Sequence, residues 1–212
     1  MPDDLPYERL GLRLIDGRAL PEALRRLHRP GELLRDADGR LRRLPRFFYE
    51  VPSWERAVEV ALTPHFSLYE FVSVDVREAE AVRTWPRYVP CAVTLLAAHL
   101  ELLRQALDAP LFIAANGGYR SPAHALDAGE DGAPAASVHH WGTAVNVYRI
   151  GTDLIDTEAE IVRFGERARA LLPGVWVRPY GPARGQTTDH LHLDLGYAVA
   201  VPRAAAGEEP DA

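Results

Sequence analysis

The sequence predicts an α+β fold, with amphipathic helices and short strands in one chain. Three observations predict it. Pro90 to Leu107 carries apolar residues at Val93, Leu96, Ala97, Leu100, Leu103 and Leu107. That is the 3.6-residue spacing of a helix with one buried face. His190, His192 and Asp194 alternate with Leu191, Leu193 and Leu195, the period of a half-buried strand. Between such segments lie short apolar runs bounded by Gly, Pro and Asp-Gly, which punctuate strands and turns.

The remaining elements follow in order. Leu10 to Ile15 alternates like a strand and ends at the turn signal Asp16-Gly17. Pro21 to His28 reads as a short helix, with Pro21 in its first turn. Asp36 to Gly39 is a further turn, set in an arginine-rich run from Arg25 to Arg46. Such a run reads as a solvated face. Ser53 caps a helix from Trp54 to Leu62, and Ser67-Leu68-Tyr69-Glu70 has the form of a capping box. Leu111 to Ala115 is a short buried strand ending in Asn116-Gly117-Gly118, and 121–137 is loop. Thr143 to Ile150 is a strand. Thr157 to Leu172 is a helix with Glu160 three residues after its cap. Val175 to Val177 and His190 to Tyr197 complete the strands, and the acidic tail 204–212 reads as disordered. Three parts result: an extension over 1–62, a main domain over 63–203, and the tail.

Composition narrows the function classes. At 212 residues, 47% hydrophobic and 25% charged, the chain has globular composition and length for a core without disulfides. Cys91 is its single cysteine, so neither an intrachain disulfide nor a Cys-rich zinc cluster is possible. All 24 basic side chains are arginine. The absence of lysine excludes P-loop phosphate chemistry and Schiff-base catalysis. A net charge of −6 argues against a nucleic-acid partner, which needs a basic footprint. No run reaches the roughly 18 apolar residues of a membrane span. The start Met1-Pro2-Asp3-Asp4 is acidic where a signal peptide is basic. The expectation is a cytoplasmic protein without a membrane partner.

Four of the eight histidines fall in two short segments, around His139-His140 and His190-Leu191-His192. Side chains two apart on a strand share a face, so His190, His192 and Asp194 point together and the leucines point to the core. Paired imidazoles on a half-buried strand need partners. Either a metal takes them or they are hydrogen-bonded structural histidines.

The segment Ser137-Val138-His139-His140-Trp141-Gly142-Thr143-Ala144-Val145-Asn146, followed by His190-Leu191-His192, resembles the signature of the D-Ala-D-Ala carboxypeptidase-type zinc peptidases. Phe66 to Phe71 is similar to the family's opening helix, and Gly118-Tyr119-Arg120-Ser121-Pro122 to its Gly-Tyr-Arg-Ser segment. The motifs occur in the family's order over roughly residues 64–200. The resemblance implies a Hedgehog/DD-peptidase-like fold: a small, mostly antiparallel sheet with helices packed on one side and the metal-site strands as cleft floor. It implies a zinc-dependent hydrolase acting on peptidoglycan-type or D-amino-acid peptides, with a small peptide as partner.

Carried onto this chain, the resemblance makes His139, Asn146 and His192 the zinc ligands. It offers Asp189 or His190 as the proton carrier. Arg120 faces substrate or the developing oxyanion, and Ser137 fixes the loop or touches substrate. One departure stands out, because the family's middle ligand is Asp and this chain has Asn146. A neutral amide oxygen is a poorer zinc ligand than a carboxylate. Asp194 is a candidate source of the missing charge. The alternative is a catalytically altered member that binds peptide or metal without turnover. His140 and Trp141 are expected to wall the cleft, His124 to face solvent, His28 and His99 to lie on the surface or a helix face, and Cys91 to be a buried, inert thiol.

Overall fold

A computed structural model describes residues 10–36, 38–75, 83, 85, 87–121, 136–183 and 185–202. The readings of the chain start, of His124 and its loop, and of the tail lie outside these residues. Within them the fold is α+β, and every ladder between its strands is antiparallel.

Strand β1 (Arg13–Asp16) pairs with β4 (Phe47–Val51), which pairs with β5 (Arg87–Pro90). Between β1 and β4 lie helix α1 (Glu22–His28) and a hairpin of β2 (Leu33–Arg35) with β3 (Leu41–Arg43). Helix α2 (Trp54–Glu59) is capped by Ser53 Oγ, which accepts from Arg56 N–H at 3.2 Å. Helix α3 (Leu68–Val72) opens on the expected capping box, with Ser67 N–H donating to the Glu70 carboxylate at 2.7 Å.

Helix α4 (Val93–Leu107) buries Val93, Leu96, Ala97, Leu100 and Leu103, the stripe that its sequence period selects. It starts three residues later than the sequence predicts. Pro90 belongs to β5, opposite Phe48, and all four β5 residues are buried. The gain from that ladder decides the conformation of 87–90, and the helix begins only after the chain has left the sheet.

The second sheet positions the site. It runs β6 (Leu111–Ile113), β7 (Ala144–Ile150), β10 (Leu191–Asp194), β9 (Trp176–Val177), with β8 (Asp153–Leu154) also on β7. Helix α5 (Glu158–Leu171) follows β8, and Thr157 Oγ1 caps it by accepting from Glu160 N–H at 3.4 Å. Val145, Val147, Val177, Leu191 and Leu193 join the α4 and α5 side chains in the main core. Fully burying an aliphatic side chain of this size stabilises by about 1.5–3 kcal/mol.

Residues 10–62 are tied into the same body. Phe47, Tyr49 and Val51 of β4 lie in the core that contains Leu96 and Leu100. The β2–β3 hairpin places Leu34 and Leu44 against Trp141. Of the arginine-rich run, Arg25, Arg26, Arg35, Arg40 and Arg43 are exposed as expected, whereas Arg29, Arg42 and Arg46 are half-buried and ion-paired with Glu32, Asp36 and Asp16. His28 departs from expectation: it is buried edge-on against Phe48 and Tyr88, because α1 turns its last residue toward the first sheet. His99 lies on the α4 face with Nδ1 2.8 Å from Leu95 O. Cys91 is buried, and burial pushes its thiol up to about 12, so it is not a thiolate nucleophile.

Candidate metal centre

Two backbone devices bring the histidine segments together. The first is the turn after β6. Asn116 adopts φ 58°, and Asn146 N–H donates to Gly117 O at 2.7 Å while Ala114 N–H donates to Asn146 O at 3.0 Å. A Cβ on Gly117 would meet Asn146 O at 2.9 Å, and one on Gly118 would meet the Phe71 carbonyl carbon at 2.8 Å. The paired glycines let two backbones pass in contact.

The second device is the 3-10 turn Val138–Trp141, which ends at Gly142 with φ 68°. It buries His139, His140 and Trp141. Trp141 is not a cleft wall as expected. It is fully buried against the N-terminal hairpin, and its indole N–H donates to Arg43 O at 3.0 Å. The hairpin offers it apolar contacts and an acceptor together, which an amphipathic ring requires when buried.

The β7–β10 register sets Asn146 directly opposite His192. Opposed residues of an antiparallel pair share a face. Asn146 Oδ1 lies 2.8 Å from His192 Nδ1, and the His139 ring centre is 5.2 Å from that of His192. His192 is completely buried, and His139, Asn146 and Asp194 nearly so. Burial holds His139 well below the usual imidazole range, with the charges of Arg120 and His192 acting in the same direction. Burial also lowers His192, against the pull of its hydrogen bond to Asp194. Both rings are therefore neutral at neutral pH, the form that ligates a metal.

The outer nitrogens are anchored. His139 Nδ1 lies 2.8 Å from Gly118 O. A carbonyl can only accept, so Nδ1 carries the proton and Nε2 keeps its lone pair. His192 Nε2 lies 3.3 Å from Asp194 Oδ2. Asn146 Oδ1 can only accept and is the nearer partner, so His192 Nδ1–H donates to it. For Nδ1 to ligate, the ring proton moves to Nε2, beside the Asp194 carboxylate, as a metal-binding histidine requires. The two facing acceptors that result are stable if the amide rotates to present its NH₂, or if a cation lies beside both. Tetrahedral ligand atoms at zinc distances sit about 3.3 Å apart, so a half-ångström opening would suit a metal. The donor set is two imidazole nitrogens and one neutral amide oxygen, which suit zinc in kind and fall short of a carboxylate-containing set in charge. Among the described residues no group of three or more His, Cys, Asp or Glu is arranged to hold a metal.

The other sequence-selected residues surround this pair. Arg120 donates its backbone N–H to His139 O at 3.2 Å and its Nε–H to Asn116 O at 2.6 Å. His190 precedes β10. Its Nδ1 lies 2.7 Å from Asp189 Oδ1, and its Nε2 is buried with no hydrogen-bond partner. Asp189 itself is largely exposed. Ser137 heads the 3-10 turn without a side-chain cap bond. His140 is buried beside His139. Asp194 acts on His192 from its Nε2 side, and its other oxygen accepts from Gly196 N–H at 2.8 Å.

Sequence reasoning did not single out Trp176 and Arg178. Trp176 sets its ring edge-on to His192 at 5.7 Å. Arg178 follows β9 and donates its N–H to His192 O at 3.2 Å. Their signal was the alternation Val175, Trp176, Val177, Arg178, which sends Val177 to the core and its neighbours to the histidine face. Comparison with protein-family models, curated proteins and solved structures finds no match for this chain.

Proposed function

We propose that the chain is a zinc-dependent hydrolase of the D-Ala-D-Ala carboxypeptidase type, with a Hedgehog/DD-peptidase-like fold. The observation that carries this reading is the convergence of His139, Asn146 and His192, each imidazole anchored through its outer nitrogen. In this reading His139 Nε2, Asn146 Oδ1 and His192 Nδ1 hold the ion. When bound, zinc supplies Lewis acidity to a water and to the attacked carbonyl.

The protein's own groups do the rest. His190 accepts and returns a proton at Nε2, while Asp189 orients its ring through Nδ1. Arg120, held beside His139 by its backbone, donates to the developing oxyanion. Ser137 contacts the peptide at the entry of the 3-10 turn. The substrate is a short peptide or amide of D-amino-acid type. The test is metal analysis of the purified chain with and without added zinc, paired with release of D-alanine from a D-Ala-D-Ala peptide. A chain that takes up no zinc overturns the reading.

One observation favours a second reading. The middle donor is a neutral amide, not the carboxylate of the family the chain resembles. A catalytically altered member would bind peptide or metal at these residues without turnover. Zinc uptake without D-alanine release is its expected signature.

A further inference from the structure

The arginine-rich run plays no part in the histidine site. Residues 25–46 hold eight arginines against three carboxylates, in a chain whose net charge is −6. Charge so concentrated sets up a local field of its own. Arg26 pairs with Glu22, Arg29 with Glu32, Arg42 with Asp36 and Arg46 with Asp16. Arg25, Arg35, Arg40 and Arg43 are exposed and have no ion pair among the described residues. Arg35 and Arg43 donate to backbone carbonyls, Gly39 O at 2.8 Å and Gly31 O at 2.9 Å. A carbonyl orients a guanidinium and leaves its charge uncompensated.

The β2–β3 hairpin sorts these residues by face. Its register pairs Leu33 with Arg43, Leu34 with Arg42 and Arg35 with Leu41. Opposed residues share a face, and successive residues alternate. The inner face is taken up by the fold: Leu34 packs with Leu44 against Trp141, and Arg42 stacks over Tyr197 at 4.8 Å. The outer face carries Leu33, Arg35, Leu41 and Arg43, all exposed. Leu33 and Leu41 are each about half exposed, on one diagonal of the ladder, and the two arginines lie on the other. Asp38 lies in the connecting turn, outside the ladder.

We propose that this outer face docks the protein on an anionic lipid surface. The leucines enter the headgroup boundary, and the guanidiniums pair with lipid phosphates. Charge complementarity selects a negative partner. Size selects a bilayer over a protein, because four side chains fall well short of the roughly 800 Å² per partner that a stable protein interface buries. Contact with a lipid surface instead accumulates residue by residue. The leucines select lipid over a nucleic acid, which would take the arginines and leave the apolar side chains in water. Surface contact needs no spanning segment, and among the described residues no helix is long and apolar enough to cross a membrane. Docking by this face does not rest on the hydrolase reading.

The test is co-sedimentation of the full chain with vesicles of phosphatidylcholine alone or with one-third phosphatidylglycerol. Binding to the anionic vesicles is expected to be at least tenfold tighter, and to weaken at least tenfold in about 1 M salt, where the screening length is about 3 Å. Joint replacement Arg35→Ser and Arg43→Ser should weaken it at least tenfold. Joint replacement Leu33→Ser and Leu41→Ser should weaken it at least threefold. Leu102→Ser, at an equally exposed position on α4, should leave it unchanged. All three variants alter exposed side chains and should keep the far-UV circular dichroism spectrum of the wild type. Equal binding to the two kinds of vesicle overturns the proposal, as does binding that salt does not weaken. So does a leucine variant that binds like wild type, or a Leu102→Ser chain that loses as much as the leucine pair. Duplex DNA or polyglutamate bound as tightly as the anionic vesicles, with the leucine pair irrelevant, also overturns it.

Discussion

Asn146 Oδ1 and His192 Nδ1 face each other at 2.8 Å across the β7–β10 ladder, both out of solvent. Asp194 lies on the far side of the His192 ring, 3.3 Å from Nε2, and accepts the ring proton there when Nδ1 turns its lone pair to a cation. An anionic oxygen at position 146 would repel that lone pair in the absence of a cation and be rewarded in its presence. Asn146→Asp is therefore expected to tighten zinc binding by tenfold or more, read by competitive titration against a chromophoric chelator. If affinity is unchanged or weaker, position 146 does not touch the metal.

The two histidines should behave differently from the others. His139→Ala and His192→Ala are each expected to remove most bound zinc, and His28→Ala to leave it, because His28 packs on the other sheet. Equal zinc content in all three variants would end the assignment. Removing the ion should leave the fold intact, since the main core is built from α4, α5 and the leucine face of β10 without it. A ligand at a hundredfold its Kd stabilises by about 2.7 kcal/mol. Chelation should lower Tm by several degrees with an unchanged far-UV circular dichroism spectrum.

What was legible in the sequence depended on whether the signal was local. The α4 stripe, the Ser67 box and the β10 alternation are short-range patterns, and each appears where the residues put it. The strands β4 and β5 were missed for a physical reason. Neither Phe47–Val51 nor Arg87–Pro90 alternates apolar with polar residues, unlike β10, which is equally buried but carries His192 and Asp194 between leucines. Its pairing of Phe48 with Pro90 spans a separation that no window covers. Arg178 was missed similarly. β9 is two residues long, and only its register against β10 reveals which side chains share the histidine face.

The N-terminal hairpin reaches the site through Trp141. Its indole N–H donates to Arg43 O at 3.0 Å, and Ala136 N–H donates to Arg35 O at 3.2 Å. The hairpin therefore holds both ends of the turn that carries His139. Trp141→Phe keeps most of the apolar contact and leaves Arg43 O without its donor. The expected cost is about 1–2 kcal/mol of stability, with weaker zinc binding in proportion to the lost order of the turn. Urea denaturation measures the first and chelator competition the second. A change in stability with zinc affinity untouched would mean that the hairpin supports the fold and not the site.

Part of the acid sensitivity should trace to His28. Its ring is enclosed by Phe48 and Tyr88 at centroid distances of 5.4 and 5.8 Å, and its Nδ1 has no hydrogen-bond partner. Burial lowers it to about 4, whereas the unfolded chain protonates near the ordinary value of about 6.5. Between those values the unfolded state binds the proton and the folded state does not. Stability is thus full above about pH 6.5 and falls as the pH drops toward 4. At pH 5 the loss from this one residue is about 2 kcal/mol. His139, His190 and His192 are shifted in the same direction, so the wild type alone cannot isolate the effect. His28→Phe removes the titrating group and retains a ring of similar size. The variant should lose about 2 kcal/mol less than wild type between pH 7.5 and pH 5, measured by urea unfolding at both. Parallel pH dependence in the two proteins would show that the His28 proton is not excluded by folding.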